Sequence, residues 1–148
     1  MAKRPAVPIA FKNGIQQQGS INILAGDIGG TKTNMALYRS DKDGLTLLRE
    51  KRYRSKDHHS LEEIVSDFTG AQLPDRICAA VAGPVLKGKS RLTNLSWELD
   101  SEALSATLKI PVSFINDLEA TAYGLPGLRE DELAPIAPGE QGAEGNKY

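Results

Sequence analysis

The chain has 148 residues, 40% of them apolar and 25% charged, which suits one globular core and leaves little room for a second. A formal net charge of -1 gives no electrostatic case for nucleic acid or for an anionic membrane, so any phosphate binding must be local. Cys78 is the single cysteine, which excludes an internal disulfide, and no Cys and His cluster has metal-ligand spacing; a reducing, cytoplasmic location fits both facts.

Residues 1–20 carry Lys3, Arg4 and Lys12 without an acid. Pro5, Pro8 and a glutamine run break any apolar stretch, so a disordered arm is expected rather than a signal peptide, with a transit peptide as the alternative. Ile21, Ile23 and Leu24 then begin a strand expected to end at Gly26. Met35 and Leu37 alternate with Asn34, Ala36 and Tyr38 as a second, half-buried strand. Between the two lies a glycine turn. Gly29 and Gly30 can take φ > 0 and carry no Cβ, so successive backbone N–H groups can converge on an anion, with hydroxyls from Thr31 and Thr33. Asp27, just ahead, suits a hydrated magnesium ion. From Gly26 to Thr33 the chain nearly spells a P-loop, but Thr31 stands where the second glycine belongs. A P-loop also opens a helix, whereas here a strand leads to the hairpin signal Ser40-Asp41-Lys42-Asp43-Gly44. The plain alternative is a hairpin whose glycines only make the turn.

Leu45, Leu47 and Leu48 begin a third strand whose basic end, with Lys51, Arg52, Arg54 and Lys56, is expected to be solvated. Ser60 and Glu63 form a capping box for a short amphipathic helix carrying Leu61, Ile64, Val65 and Phe68, stopped by Gly70. Arg76 to Gly83 predicts a strand buried on both faces, broken at Gly83-Pro84, with Cys78 as packing. Lys87-Gly88-Lys89 centres a hairpin. Asp100 or Ser101 caps a second helix with Ala103, Leu104, Thr107 and Leu108 on its apolar face, ended by Pro111. Val112 to Ile115 is a further buried strand ending in Asn116-Asp117, and Leu118 to Gly124 is a last helix. Beyond Leu128, prolines and glycines leave no period, so residues 129–148 are expected to be a linker. Three hairpin-linked strands followed by alternating helices and strands predict an α/β fold, a mixed sheet with an antiparallel three-stranded part and flanking helices. Ligands gather in such sheets where strands end in glycine and polar residues.

If the first turn holds nucleotide phosphates, the second polar strand end is the place for an acceptor alcohol and its base. Asp117 is the candidate base, since phosphoryl transfer needs a carboxylate within reach of the attacking hydroxyl. Asn116 can donate to and accept from sugar hydroxyls. The alternative is that Asp117 is only a helix N-cap.

Gly26-Asp27-Ile28-Gly29-Gly30-Thr31, Leu92-Thr93-Asn94-Leu95-Ser96-Trp97 and Phe114-Ile115-Asn116-Asp117-Leu118-Glu119-Ala120 together resemble, in order and spacing, the bacterial ATP-dependent glucokinases. That family belongs to the actin-like, ribonuclease H-like superfamily of sugar kinases, and the resemblance runs from about Ile21 to Leu128. It implies that Gly26 to Thr33, including Ile28 and Lys32, serve ATP, with Asp27 facing Mg2+. It also implies that Asp117 is the base for the glucose 6-hydroxyl, with Asn116 and Asn94 on the sugar side beside Thr93 and Trp97. Trp97 has core packing as its alternative. Residues 21–128 would then be the smaller N-terminal lobe, with 129–148 leading toward a C-terminal lobe absent from this sequence, and a homodimer would be compatible with the complete enzyme. The rival classes are a non-catalytic sugar sensor and an interaction module built on the same lobe. Residues 1–20 lack the caps and periodicity of a DNA-binding helix pair.

Overall fold

The computed structural model describes residues 19–124. Most of the expected arm and all of the expected linker lie outside them. Strands β1 (Ile21–Ile28), β2 (Lys32–Asp41) and β3 (Gly44–Arg54) form an antiparallel meander. The two-residue connection Lys42-Asp43 sits where the turn signal predicted it, with the Asp43 amide donating to Asp41 Oδ1 at 2.8 Å. A single 3-10 turn at Ser55–Asp57 leads to helix α1 (Leu61–Thr69), and strand β4 (Arg76–Val81) then returns parallel to β1. After the short strands β5 (Lys89–Arg91) and β6 (Glu98–Asp100) come helix α2 (Ser101–Leu108), strand β7 (Val112–Asn116) and helix α3 (Asp117–Gly124). The main sheet has the order β3-β2-β1-β4-β7, antiparallel on one side and parallel on the other. This is the mixed α/β architecture expected from the sequence.

The helix signals act as predicted, with one difference in wiring. Ser60 Oγ accepts from the Glu63 amide at 3.3 Å, but the Glu63 carboxylate returns to the His59 amide rather than to Ser60. Leu61, Ile64, Val65 and Phe68 fill the core against Leu24, Ile28, Met35, Ile77 and Val81. Each such side chain contributes about 1.5–3 kcal/mol on burial. Asp100 caps α2 through the Glu102 and Ala103 amides at 3.0 and 3.1 Å. That helix stops at Leu108, before Pro111, because Lys109 already adopts a left-handed conformation at φ 59.

The hairpin expected at Lys87-Gly88-Lys89 is present, since Leu86 and Lys89 exchange backbone hydrogen bonds at 2.9 and 3.0 Å across Lys87-Gly88; beyond it β5 and β6 make a small second sheet that the sequence did not mark, and Asp100 ends β6 before it caps α2. Three-residue strands have too short a period to be seen in sequence. The basic end of β3 is exposed as expected but specifically partnered. Arg49 donates to the Phe68 carbonyl and lies over the Phe68 ring at 4.4 Å, while Lys51 Nζ and Tyr53 Oη both donate to Asp67 Oδ2 at 2.7 Å. This edge strand therefore clamps α1.

That clamp gives the fold a pH dependence at both ends. The Lys51 hydrogen bond, with that of Tyr53, holds the Asp67 carboxyl below its ordinary value. The bond to Asp67 holds the Lys51 ammonium above its own, and burial raises the Tyr53 phenol. A depressed carboxylate stabilises the fold above its unfolded pKa, and that contribution is lost as pH falls through the folded value. Raised Lys and Tyr values stabilise below their unfolded pKa and are lost as pH rises. The contributions are thus complete between about pH 4 and pH 10. Thermal unfolding of Asp67→Asn should show a lower midpoint than the native chain at neutral pH and a difference that closes below about pH 4. A difference independent of pH would mean that the carboxylate charge contributes nothing.

Candidate active site

Strand β1 does not end at Gly26. It runs to Ile28, and β2 begins at Lys32, so the turn itself is only Gly29-Gly30-Thr31. Strand alternation then separates the residues expected to act together. Gly26 and Ile28 face the core, where a Cβ on Gly26 would lie 3.0 Å from Ala79 Cβ and where Ile28 is fully buried. Thr33 is also fully buried, and its hydroxyl is bonded to Ser55 rather than directed toward a ligand. Asp27, Thr31 and Lys32 remain exposed, with Gly29 and Gly30 half-buried between them.

The reason for glycine in this turn also differs from expectation. Neither Gly29 nor Gly30 has a positive φ. Close approach requires them instead: a Cβ on Gly29 would sit 3.0 Å from the Lys32 carbonyl oxygen, and one on Gly30 would sit 3.2 Å from Asn94 Cβ. The Gly29 amide closes the hairpin by donating to that same Lys32 carbonyl at 3.0 Å. Among the described residues, the amides of Gly30 and Thr31 are the ones the turn leaves for an anion, with the Thr31 hydroxyl and the Lys32 ammonium beside them.

A residue with no motif of its own holds this turn. Ser55, fully buried, donates its hydroxyl to the Gly29 carbonyl at 2.7 Å and its amide to the Thr31 carbonyl at 3.0 Å. Because the one hydroxyl hydrogen of Ser55 goes to Gly29, the contact between Thr33 Oγ1 and Ser55 Oγ at 2.9 Å has Thr33 as donor. The turn is thus bolted to the end of β3 by a Thr33, Ser55, Gly29 chain. Ser55→Ala removes the partner of the buried Thr33 hydroxyl and of the part-buried Gly29 carbonyl and should destabilise the chain by about 1–3 kcal/mol. Chemical denaturation with an unchanged midpoint would show that the chain of bonds contributes nothing.

The second polar strand end lies on the same edge of the sheet. Ile28 pairs with Val81, and Val81 with Asn116, so β1 and β7 end level with each other on either side of β4. Two interstrand spacings separate them, about 10 Å. Asn116 Oδ1 accepts from the Leu118 amide at 2.9 Å, the two-residue reach of an N-cap, and Asn116 Nδ2 donates to the Gly83 carbonyl at 2.7 Å. Asp117, also 3.0 Å from the Leu118 amide through Oδ1, is therefore the first helical residue and not the sole cap. Asn116 ties its neighbour to the β4 loop, leaving one N–H and one lone pair for any ligand. Asn94 sits in the Leu92–Leu95 turn against Gly30. Trp97 is core: it is 3% exposed, and its Nε1 donates to the His58 carbonyl at 3.1 Å.

Asp27 borders a groove of about 530 Å³ on the sheet face away from α1, lined also by Ala25, Asn34, Ala36, Tyr38 and Arg52. Among the described residues no group of three acids, histidines or cysteines could hold a metal unaided. The chemistry of a lone exposed carboxylate is compatible with magnesium, which is commonly held by one or two carboxylates together with the phosphates it accompanies.

An antiparallel meander continued by two parallel strands, with a glycine hairpin and an Asn-Asp pair at one end of the sheet, is a mixed α/β arrangement of the actin-like fold, and its structural neighbours are sugar kinases. The sequence model of the glucokinase family matches residues 24–148. A glucokinase of Nostoc punctiforme is 42% identical over 123 residues, covering 80% of this chain and 36% of its own length. The crystal structure of a glucokinase from an Antarctic psychrotroph superposes with a TM-score of 0.70 at 30% identity, covering 80% of this chain and 39% of that one. A glucokinase from Balamuthia mandrillaris in complex with glucose gives 0.53 at 26% identity, over 75% and 33%. The chain belongs to the glucokinase family. It spans well under half the length of these relatives.

Proposed function

We propose that this chain is the N-terminal lobe of an enzyme that transfers the γ-phosphoryl group of ATP to the 6-hydroxyl of glucose. The observation that carries the reading is the shared sheet edge, where the Gly29-Gly30-Thr31 turn and Asp117 stand one strand apart. The amides of Gly30 and Thr31, the Thr31 hydroxyl and Lys32 receive phosphate oxygens. Asp117 accepts the proton of the 6-hydroxyl as its oxygen bonds to the γ-phosphorus, and the bond from that phosphorus to the β-phosphate bridging oxygen breaks, releasing ADP. Asn116, held by Gly83, keeps Asp117 at the mouth of β7, and Asn94 borders the turn. Asp27 would hold Mg2+, whose charge would offset that of the phosphates. A cytoplasmic setting in sugar catabolism belongs to the same proposal; among the described residues no helix is long and apolar enough to cross a membrane.

Adenosine and sugar contacts from a second lobe complete the cleft in this reading, because phosphoryl transfer depends on holding both substrates together. In a coupled assay, the chain extended to the length of its relatives should form ADP in a glucose-dependent way, and the 148-residue chain alone should stay at background. An inactive extended protein, or clear turnover by the short chain, overturns the reading.

A further inference from the structure

Asp27, Asn34 and Arg52 are direct register partners across β1, β2 and β3, so their side chains form one row on the same face of the sheet. Arg52 Nε donates to Asn34 Oδ1 at 2.9 Å, and Asn34 Nδ2 donates to Asp27 Oδ2 at 3.3 Å. We propose that Asn34 is a positioning residue that aims the Asp27 carboxylate at the metal of a bound nucleotide, with Arg52 locking the Asn34 amide. This rests on the reading of Asp27 given above.

The chemistry of the row supports that role. Arginine has only donors, so it binds the oxygen of the amide and turns the NH2 toward Asp27; without Arg52 the amide could flip and present its oxygen to the carboxylate. The order of the groups also matters. A guanidinium in direct contact with Asp27 would form a charge-assisted, bidentate pair and compete with a divalent cation for the carboxylate. A neutral amide between them transmits orientation and leaves the carboxylate its charge. Arg52, which the sequence pattern assigns to a solvated basic strand end, thereby acquires a specific partner two strands from the phosphate turn. A cross-strand row of this kind could also serve the sheet alone, and the two roles are separable by experiment.

The test uses the isotopically labelled 148-residue chain, titrated with ATP with and without Mg2+ while the Gly29, Gly30 and Thr31 amide resonances are followed. Outer hydrogen bonds of metal ligands typically affect affinity by 10- to 100-fold; for this exposed row the lower end applies, so Asn34→Leu and Arg52→Leu should each weaken Mg-ATP by about 10-fold. Binding of metal-free ATP should be unchanged, and Asp27→Asn should behave in the same way. Equal weakening with and without magnesium would assign the row to sheet stability and overturn the proposal. So would an unchanged Mg-ATP affinity in Asn34→Leu beside a loss in Asp27→Asn, an outcome that leaves the assignment of Asp27 standing. No loss in Asp27→Asn would overturn both. Arg52 is exposed on the edge strand, so Arg52→Leu keeps the test open if Asn34→Leu does not fold.

Discussion

Asp117→Asn, introduced into the chain extended to the length of its relatives, should lower kcat by about 10²- to 10⁴-fold, the range for loss of a positioned general base. Glucose KM should change much less, as expected for an interaction used mainly in the transition state. The structure sharpens this expectation. If Asp117 served only to cap α3, asparagine would replace it with little effect, because the two residues cap about equally well. Asn116 already accepts the Leu118 amide at 2.9 Å, so the helix start is secured without the Asp117 carboxylate. Any large loss of turnover with an unchanged unfolding midpoint therefore reports chemistry. A kcat within a few-fold of the native value would remove Asp117 from the mechanism.

Gly30→Val in the same extended chain should reduce kcat/KM for ATP by about 10²-fold, the scale of effect of small misplacements at a reacting centre. The added Cβ would lie 3.2 Å from Asn94 Cβ, so Asn94 must give by a few tenths of an ångström. The two γ-methyl groups of valine would also stand beside the Gly30 and Thr31 amides, where phosphate oxygens would be received. Gly30→Ala should show a graded, smaller loss, since Asn94 is exposed and can give by a few tenths of an ångström. Normal kinetics in Gly30→Val would make this turn a plain hairpin and withdraw its phosphate-binding role.

Much of the fold was legible locally. Ser60 and Glu63 mark the start of α1 and Gly70 its end, because caps act within one turn of the helix. The Asp41 to Gly44 turn marks the β2–β3 hairpin. The small apolar run ending at Val81 marks a central strand, paired with β1 and β7, but the expected burial on both faces is not reached: Ile77, Ala79 and Val81 are buried, whereas Cys78 and Ala80 on the other face are only partly covered. The three motifs, in order, point to the glucokinase family.

The candidate site was legible as a set of residues but not as an arrangement. Sequence alone determined where the glycine turn and the Asn-Asp pair occur, since both are contiguous motifs bounded by strands. Only the tertiary structure decided which members of each motif face outward. Strand β1 continues two residues past Gly26, to Ile28, so the alternation of the strand extends through the motif and sends Gly26 and Ile28 inward and Asp27 outward. Ser55 bonds Gly29 from 26 residues away, and Asn116 bonds Gly83 from 33. Asp27, Asn34 and Arg52 meet only through the register of three strands. Local periodicity carries the identity of an element, whereas register and long-range pairing depend on how whole elements pack. The direction each side chain takes at the sheet edge was therefore settled by the assembled sheet.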